Sequence, residues 1–374
     1  MKERGYEPGS LQIQMKKKLR DFTLDVSFAT QRNSGQGDGC VGILGASGCG
    51  KSMLLKSIAG IEEPDEGRIC LNGRVLYDGK QRINLPPQKR WVGYLFQDYA
   101  LFPNMTVKEN ISAGLKTGIY KKKKSLSSDE IKERVMGLVH RFHLKGLENQ
   151  YPNHLSGGQK QRVALARILC YEPEVILLDE PFSAMDAHLK EQLRMEVMRV
   201  IKEYPGEAVL VTHDRDEAYQ LCDRLILMDR GEIIGQGRTR DLFQNPGTVQ
   251  AASITGCKNI SEIRRINGHR VFALDWNVEL EVEREVDDSV THIGVRAHDL
   301  IPLSSADEIS GKHENVVDLG KATVCEMPFE WYVTLENGLW WKFGKQAGEY
   351  AHVLTLPKAV RIPRDVVLLL KERE

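Results

Sequence analysis

An α/β fold built on a parallel sheet, followed by a small all-β domain, is what this sequence predicts, on three observations. The runs CVGIL (40–44), VILLD (175–179) and AVLVTH (208–213) lack polar alternation and read as parallel strands covered on both faces. The first leads through a glycine-rich loop into SMLLKSIAG, whose leucines and isoleucine recur at helical spacing. After Gly256 come short strand-like pieces divided by Gly, Asn and Pro: RVFALDW, NVELEVE, HIGVRA, EWYVTLEN, LWWKF and HVLTL.

Length agrees with two domains, since 374 residues exceed one ordinary core. The apolar fraction of 41% and charged fraction of 28% are those of a globular chain. Lys+Arg and Asp+Glu balance at 52 each, so no nucleic-acid partner is expected. Seven cysteines (40, 49, 70, 170, 222, 257 and 325) form no Cys-x-x-Cys pair and read as reduced thiols in a cytosol. The opening MKERGYEPGSLQIQMKKK has no apolar region behind its charges, and nowhere do about 18 apolar residues run together. The expectation is a chain that reaches a membrane only by docking on another protein.

The remaining elements follow in order. Apolar residues alternate from Leu11 to Phe28, as in QIQM and FTLDVSF, which predicts an edge hairpin before the turn-rich QRNSGQGDG. Between Asn104 and His154 the pattern is helical and polar, and Lys121 to Lys124 read as a solvated loop between two helices. The expected division is 1–245 for the α/β domain, with a helical subdomain near 104–165, then a linker at 246–256 and a β-rich domain at 257–374.

The chemistry begins at Gly45-Ala46-Ser47-Gly48-Cys49-Gly50-Lys51-Ser52, which fits G-x-x-x-x-G-K-[ST] between a strand and a helix that continues through Met53. Such a loop turns backbone N–H groups toward phosphate oxygens, and the helix start adds its positive dipole end. Lys51 is then expected between the β- and γ-phosphates of ATP, with the Ser52 hydroxyl on Mg²⁺. Asp179 ends a buried strand, where open α/β sheets bind ligands, and is expected to hold the Mg²⁺. Adjacent Glu180 is a candidate to activate water, since two neighbouring carboxylates need a cation or proton between them. Cys49 lies where amides and Lys51 favour a thiolate, unless its sulfur turns inward as a small filler. Phe22 is the candidate to stack on adenine, though alternation equally allows a core-facing strand residue.

Leu155-Ser156-Gly157-Gly158-Gln159, followed by KQRVALARIL, resembles the signature motif of ATP-binding-cassette (ABC) ATPases. The rest of that set stands in order: Gln97 in YLFQD, LLDEP at 177–181, SAMD ending in Asp186, and His213 in VTHD. The resemblance covers roughly 11–245 and implies a P-loop NTPase cassette working as a head-to-tail homodimer. Each ATP is then shared between one subunit's Lys51 loop and the partner's Ser156 helix. It also implies that His213 holds the γ-phosphate and Glu180 in register, that Gln97 touches Mg²⁺ or the attacking water, and that Asp186 lines the shared site.

Tyr99 to Pro103 form an apolar patch where the family receives a helix of its membrane permease. The tail is similar to the OB-like, TOBE-type domain of importer ATPases. MKKKLRDFTLDVSF, LPPQKRWVGYLFQDYALFPNMTVKENI and GVRAHDL are most like molybdate, tungstate or sulfate importers, with sugar, polyamine and iron importers as the alternative. The implied partners are permease subunits and an extracytoplasmic substrate-binding protein, and the implied location is the cytoplasmic face of the membrane.

Overall fold

Among the described residues eleven strands between Leu11 and Arg238 form one sheet, and the glycine-rich loop leaves from an inner strand of it. The computed structural model describes residues 11–30, 39–116, 126–183, 187–303, 314–345 and 356–373. Two compact units, Met1–Arg240 and Asp241–Glu374, divide the chain.

The first unit contains β1 (Leu11–Lys18), β2 (Thr23–Ala29), β3 (Cys40–Gly45), β4 (Glu66–Leu71), β5 (Arg74–Asp78), β6 (Ile83–Asn84), β7 (Val92–Leu95), β8 (Val175–Asp179), β9 (Glu207–Thr212), β10 (Arg224–Asp229) and β11 (Glu232–Arg238). Their spatial order is β6-β5-β4-β1-β2-β11-β10-β3-β9-β8-β7. β7, β8, β9, β3 and β10 run parallel, so their carboxyl ends share one edge. Every residue of β3, β8 and β9 is buried, which explains the missing alternation. β1 and β2 form the expected hairpin, but it lies inside the sheet, flanked by β4 and β11. Alternation there reflects one covered face and says nothing of the edge.

The helices are α1 (Lys51–Ala59), α2 (Pro87–Arg90), α3 (Val107–Ser112), α4 (Ser128–Arg141), α5 (Gly157–Cys170), α6 (Ala187–Glu203), α7 (Arg215–Leu221), α8 (Thr239–Gln244) and α9 (Val249–Ile254). Capping boxes start α3 at Thr106 and Glu109, α4 at Ser127 and Glu130, and α5 at Ser156 and Gln159. Apolar residues of α3, α4 and α5, including Ile111, Val135, Val139, Val163 and Ile168, join β8 and α6 in one core. Lys121 to Lys124 lie outside the described residues.

The stretch read as a linker instead holds α9, whose Thr248 side chain caps it by accepting from the Ala251 amide. Ala252 packs with Cys257 and Leu370, so this segment belongs to the second unit's own packing. Among its described residues that unit holds a five-stranded and two three-stranded antiparallel sheets around Trp276, Leu280, Val333 and Trp341. The pieces RVFALDW, NVELEVE, HIGVRA, EWYVTLEN and LWWKF supply strands, while most of HVLTL lies outside the described residues. Among the described residues no helix is long and apolar enough to cross a membrane.

One buried cation ties the loop-bearing helix to the sheet. Arg90 is fully buried and donates to the carbonyls of Ser57 (2.8 Å), Ile58 (2.9 Å) and Leu85 (2.7 Å), and to Asn84 Oδ1 (2.8 Å). It thereby covers the carbonyl end of α1, whose dipole favours a positive charge. Gly60 closes that helix at φ 79°, and a Cβ there would meet the guanidinium at 2.4 Å. Burial pulls the Arg90 pKa down to about 10, a pull that the Glu63 charge opposes. Arg90→Met should leave these acceptors unmet and cost ~3–5 kcal/mol. Calorimetry should show the first unit's unfolding transition fall by roughly 10 °C, and an unchanged transition would contradict this account.

Candidate functional site

At the carboxyl edge of the parallel strands, β3 runs into the loop 46–50 and α1. Gly45 must be glycine, because a Cβ would lie 2.3 Å from the Met228 carbonyl oxygen of β10. Gly48 (φ 83°) and Gly50 (φ 103°) take left-handed conformations that fold the loop inward. Ala46, Ser47 and Gly48 are exposed, whereas Lys51 is buried and its Nζ donates to the carbonyls of Gly45 (2.9 Å) and Ala46 (2.8 Å). Met53 packs on the core beneath. A cationic head thus sits at the loop beside the start of a helix, the positive charge that a phosphate requires.

Cys49 overturns the thiolate expectation. Its side chain is buried, with the sulfur against Gly45 and 3.9 Å from Lys51 Nζ. Burial pushes the thiol pKa up, and the nearby Lys51 charge only partly offsets it. The sulfur is therefore the inward filler.

Ser52 Oγ donates to Asp179 Oδ1 at 2.7 Å, and the Tyr94 hydroxyl of β7 donates to Asp179 Oδ2 at 2.7 Å. The pKa of Tyr94 is raised well above a phenol's ordinary value by burial and by Asp179, so it remains a donor. Beside this cluster, His213 Nδ1 lies 3.1 Å from Glu180 Oε1. Glu180 has φ 44°, strained for a residue with a Cβ, and the turn is held where its amide donates to the Val211 carbonyl (3.0 Å). Ser183 Oγ donates to the Glu180 carbonyl (3.0 Å) and accepts from Gln97 Nε2 (3.1 Å). Asp179, Glu180, His213 and the loop are thus gathered on one edge, with Gln97 joined to the Glu180 turn through Ser183.

Ser156 and Gly157 are exposed at the start of α5, where Ser156 Oγ accepts from the Gln159 amide and Gln159 Oε1 accepts from the Ser156 amide. Gly158 is buried against α6, where a Cβ would lie 3.3 Å from Leu193. Phe22 occupies the turn between β1 and β2 and is no strand residue. Its half-buried ring lies against Gly50 and Gly231, where a Cβ would approach it to 3.4 and 2.6 Å. Asp186 falls outside the described residues.

Three supports escaped the sequence reading. Tyr94 stands within YLFQD but only proximity reveals its bond. Arg167 of α5 donates to the carbonyls of Tyr99 (2.9 Å) and Ala100 (2.7 Å), whose φ values of 63° and 41° are both left-handed, and its guanidinium lies 5.5 Å from the Phe102 ring. Lys190 bonds Asp214 (2.7 Å) and Glu217 (2.7 Å), and Thr212 Oγ donates to Glu217 (2.6 Å), bracketing His213. Burial pushes the Asp214 carboxyl up, but Lys190 and the Glu217 amide outweigh it and hold it below its usual range. The apolar patch also needs correction: Tyr99 is core, while Phe102 and Met105 are exposed.

The family model described as "ABC transporter" matches residues 33–183. A sulfate/thiosulfate import ATP-binding protein of Bacillus cereus is 36% identical over 88% of this chain and 92% of its own length. The chain belongs to the ABC transporter ATP-binding family. A Fe(3+) ions import ATP-binding protein of Haemophilus influenzae is 42% identical, over 62% of either chain. The solved structure of cbiO1 from Clostridium perfringens, part of the ABC transporter complex cbiONQ, superposes with a TM-score of 0.53 at 28% identity, covering 63% of this chain and 91% of that one. Members of the family are ATP hydrolases that bind ATP with Mg²⁺.

Of the seven cysteines of this ABC protein, only Cys325 is exposed. A maleimide at neutral pH should therefore modify one thiol in the native chain, and Cys325→Ser should abolish the modification while Cys49→Ala leaves it unchanged. Mass spectrometry of the labelled chain checks this, and label on Cys49 would contradict it.

Proposed function

We propose that the chain is the ATP-hydrolysing subunit of an importer. The observation that carries this reading is the meeting of Ser52 with Asp179 and of Glu180 with His213 at the ends of adjacent parallel strands. Lys51 binds the β- and γ-phosphates, the phosphate loop cradles them, and Phe22 stacks on the adenine beside Gly50. Ser52 and Asp179 are hard oxygen donors of the kind Mg²⁺ takes alongside phosphate, so the residues present fit the ion, with Gln97 as a further candidate oxygen. When bound, Mg²⁺ neutralises charge that builds on the transferring phosphoryl group. Glu180 orients and deprotonates the attacking water, and His213 fixes the Glu180 carboxylate and the γ-phosphate relative to each other.

Exposed Ser156 and Gly157 serve a second copy: they complete its nucleotide site across a two-fold homodimer, with Asp186 lining the same interface. Similarity to "Dimeric Structure of MJ0796, a Bacterial ABC Transporter Cassette", at a TM-score of 0.50 and 28% identity, supports this assembly. Closing and opening of that dimer moves the surface around Phe102 and Met105, on which permease subunits dock at the cytoplasmic face of the membrane. An extracytoplasmic binding protein delivers the substrate.

The proposed substrate is an oxyanion of the sulfate and molybdate class. The sulfate/thiosulfate relatives of Synechocystis and Bacillus cereus align over 289 and 342 residues, more than the first unit holds, so those matches reach into the β-rich unit. The Haemophilus influenzae iron and Thermotoga maritima spermidine/putrescine relatives align over 232 and 218 residues, and a sulfate/thiosulfate relative of Mycobacterium tuberculosis over 236, so the support comes from the two longer sulfate matches. Loss of the gene should impair uptake of labelled sulfate or molybdate and spare Fe³⁺ and spermidine; the reverse pattern would move the assignment to those classes.

Glu180→Gln should retain nucleotide binding and lose turnover by roughly 10²–10⁴-fold, the usual contribution of a positioned base. With ATP and Mg²⁺ the variant should elute as a dimer in size-exclusion chromatography. A variant that binds ATP yet stays monomeric would overturn the shared-site reading.

A further inference from the structure

Asp179 has two chemically equivalent oxygens, and the terminal torsion of an aspartate is soft, so nothing intrinsic to the residue decides which oxygen faces the phosphate loop. The fold decides it through β7. Tyr94 lies on β7, paired with β8 in parallel register (Tyr94 opposite Leu177), so its long phenol extends along β8 to the residue that ends it. The ring is buried, with its centroid 4.5 Å from that of Phe96, and its hydroxyl reaches Asp179 Oδ2 at 2.7 Å. Oδ1 is left facing Ser52 Oγ on α1, also at 2.7 Å.

We propose that Tyr94 is a positioning residue of the nucleotide site, whose hydroxyl pins Asp179 Oδ2 and so presents Oδ1, beside Ser52, to the cation that accompanies ATP. The proposal rests on the Mg²⁺-ATP reading above. Tyr94 acts on the carboxylate alone: its partner is Asp179, while the phosphate loop is held by Lys51 and backbone groups. Removing the hydroxyl should therefore impair the use of the divalent ion and leave contacts to the nucleotide itself intact. Phenylalanine preserves the ring and its packing on Phe96, and takes away only the O–H donor.

The test is titration of a fluorescent ATP analogue into the full chain, wild type and Tyr94→Phe, in EDTA and across a series of Mg²⁺ concentrations. In EDTA the two proteins should bind the analogue alike. Tyr94→Phe should need roughly tenfold more Mg²⁺ for half of the Mg²⁺-dependent gain in affinity, the scale of one charge-assisted hydrogen bond. Identical Mg²⁺ midpoints would overturn the proposal, and so would an equal loss of affinity with and without Mg²⁺, which would make Tyr94 a packing residue only. A wild-type protein whose affinity ignores Mg²⁺ would overturn the underlying metal reading as well, an outcome visible before the variant is measured.

Discussion

The Asp179 carboxylate is where the parts of the cassette meet. It ends β8, takes a hydrogen bond from Ser52 on α1 and takes another from Tyr94 on β7. A carboxylate this buried loses most of its hydration, which costs several kcal/mol unless donors replace the water. Two short hydroxyl donors do so here, and each belongs to a different element. Keeping that one group solvated by protein therefore ties the first turn of α1 and the strand β7 to the end of β8. Arg90 acts at the other end of α1, where its guanidinium joins the helix's last carbonyls to the segment that leads into β7.

Beyond the strand ends the backbone is held in conformations it would not choose. Glu180, Tyr99 and Ala100 all have positive φ without being glycine. Each such residue costs of order 1–3 kcal/mol and persists only where its surroundings dictate it. Val211 and Ser183 hold Glu180, while Arg167 holds the other two by bonding both carbonyls. Arg167 belongs to the helix that Ser156 begins, so the signature turn and the exposed Phe102 surface share a rigid connection.

His213 is similarly bracketed. Thr212 before it and Asp214 after it both bond into the group formed by Glu217 and Lys190, and Lys190 lies on α6. The chain direction of the histidine is set on both sides by this part-buried group, in which Glu217 is buried and pairs with Lys190. In the β-rich unit Lys342 pairs with Glu330 and Lys345 with Glu326.

By itself the sequence determined the local chemistry. Unalternating runs gave β3, β8 and β9 because both faces of those strands are covered, and the glycine spacing gave the tight strand-to-helix loop 46–50 because only glycine takes φ near 83° and 103° without strain. The capping pattern of Ser156 and Gln159 is likewise local, settled within four consecutive residues. Tertiary structure decided whatever depends on residues far apart in the chain. Alternation could not place the β1–β2 hairpin within the sheet, because an inner and an edge strand with one covered face have the same period. Proximity to Lys51 could not set the state of Cys49, because burial outweighs a neighbouring charge. Tyr94 and Asp179, 85 positions apart, become partners only when β7 and β8 pair, and no periodicity records a contact made through the sheet.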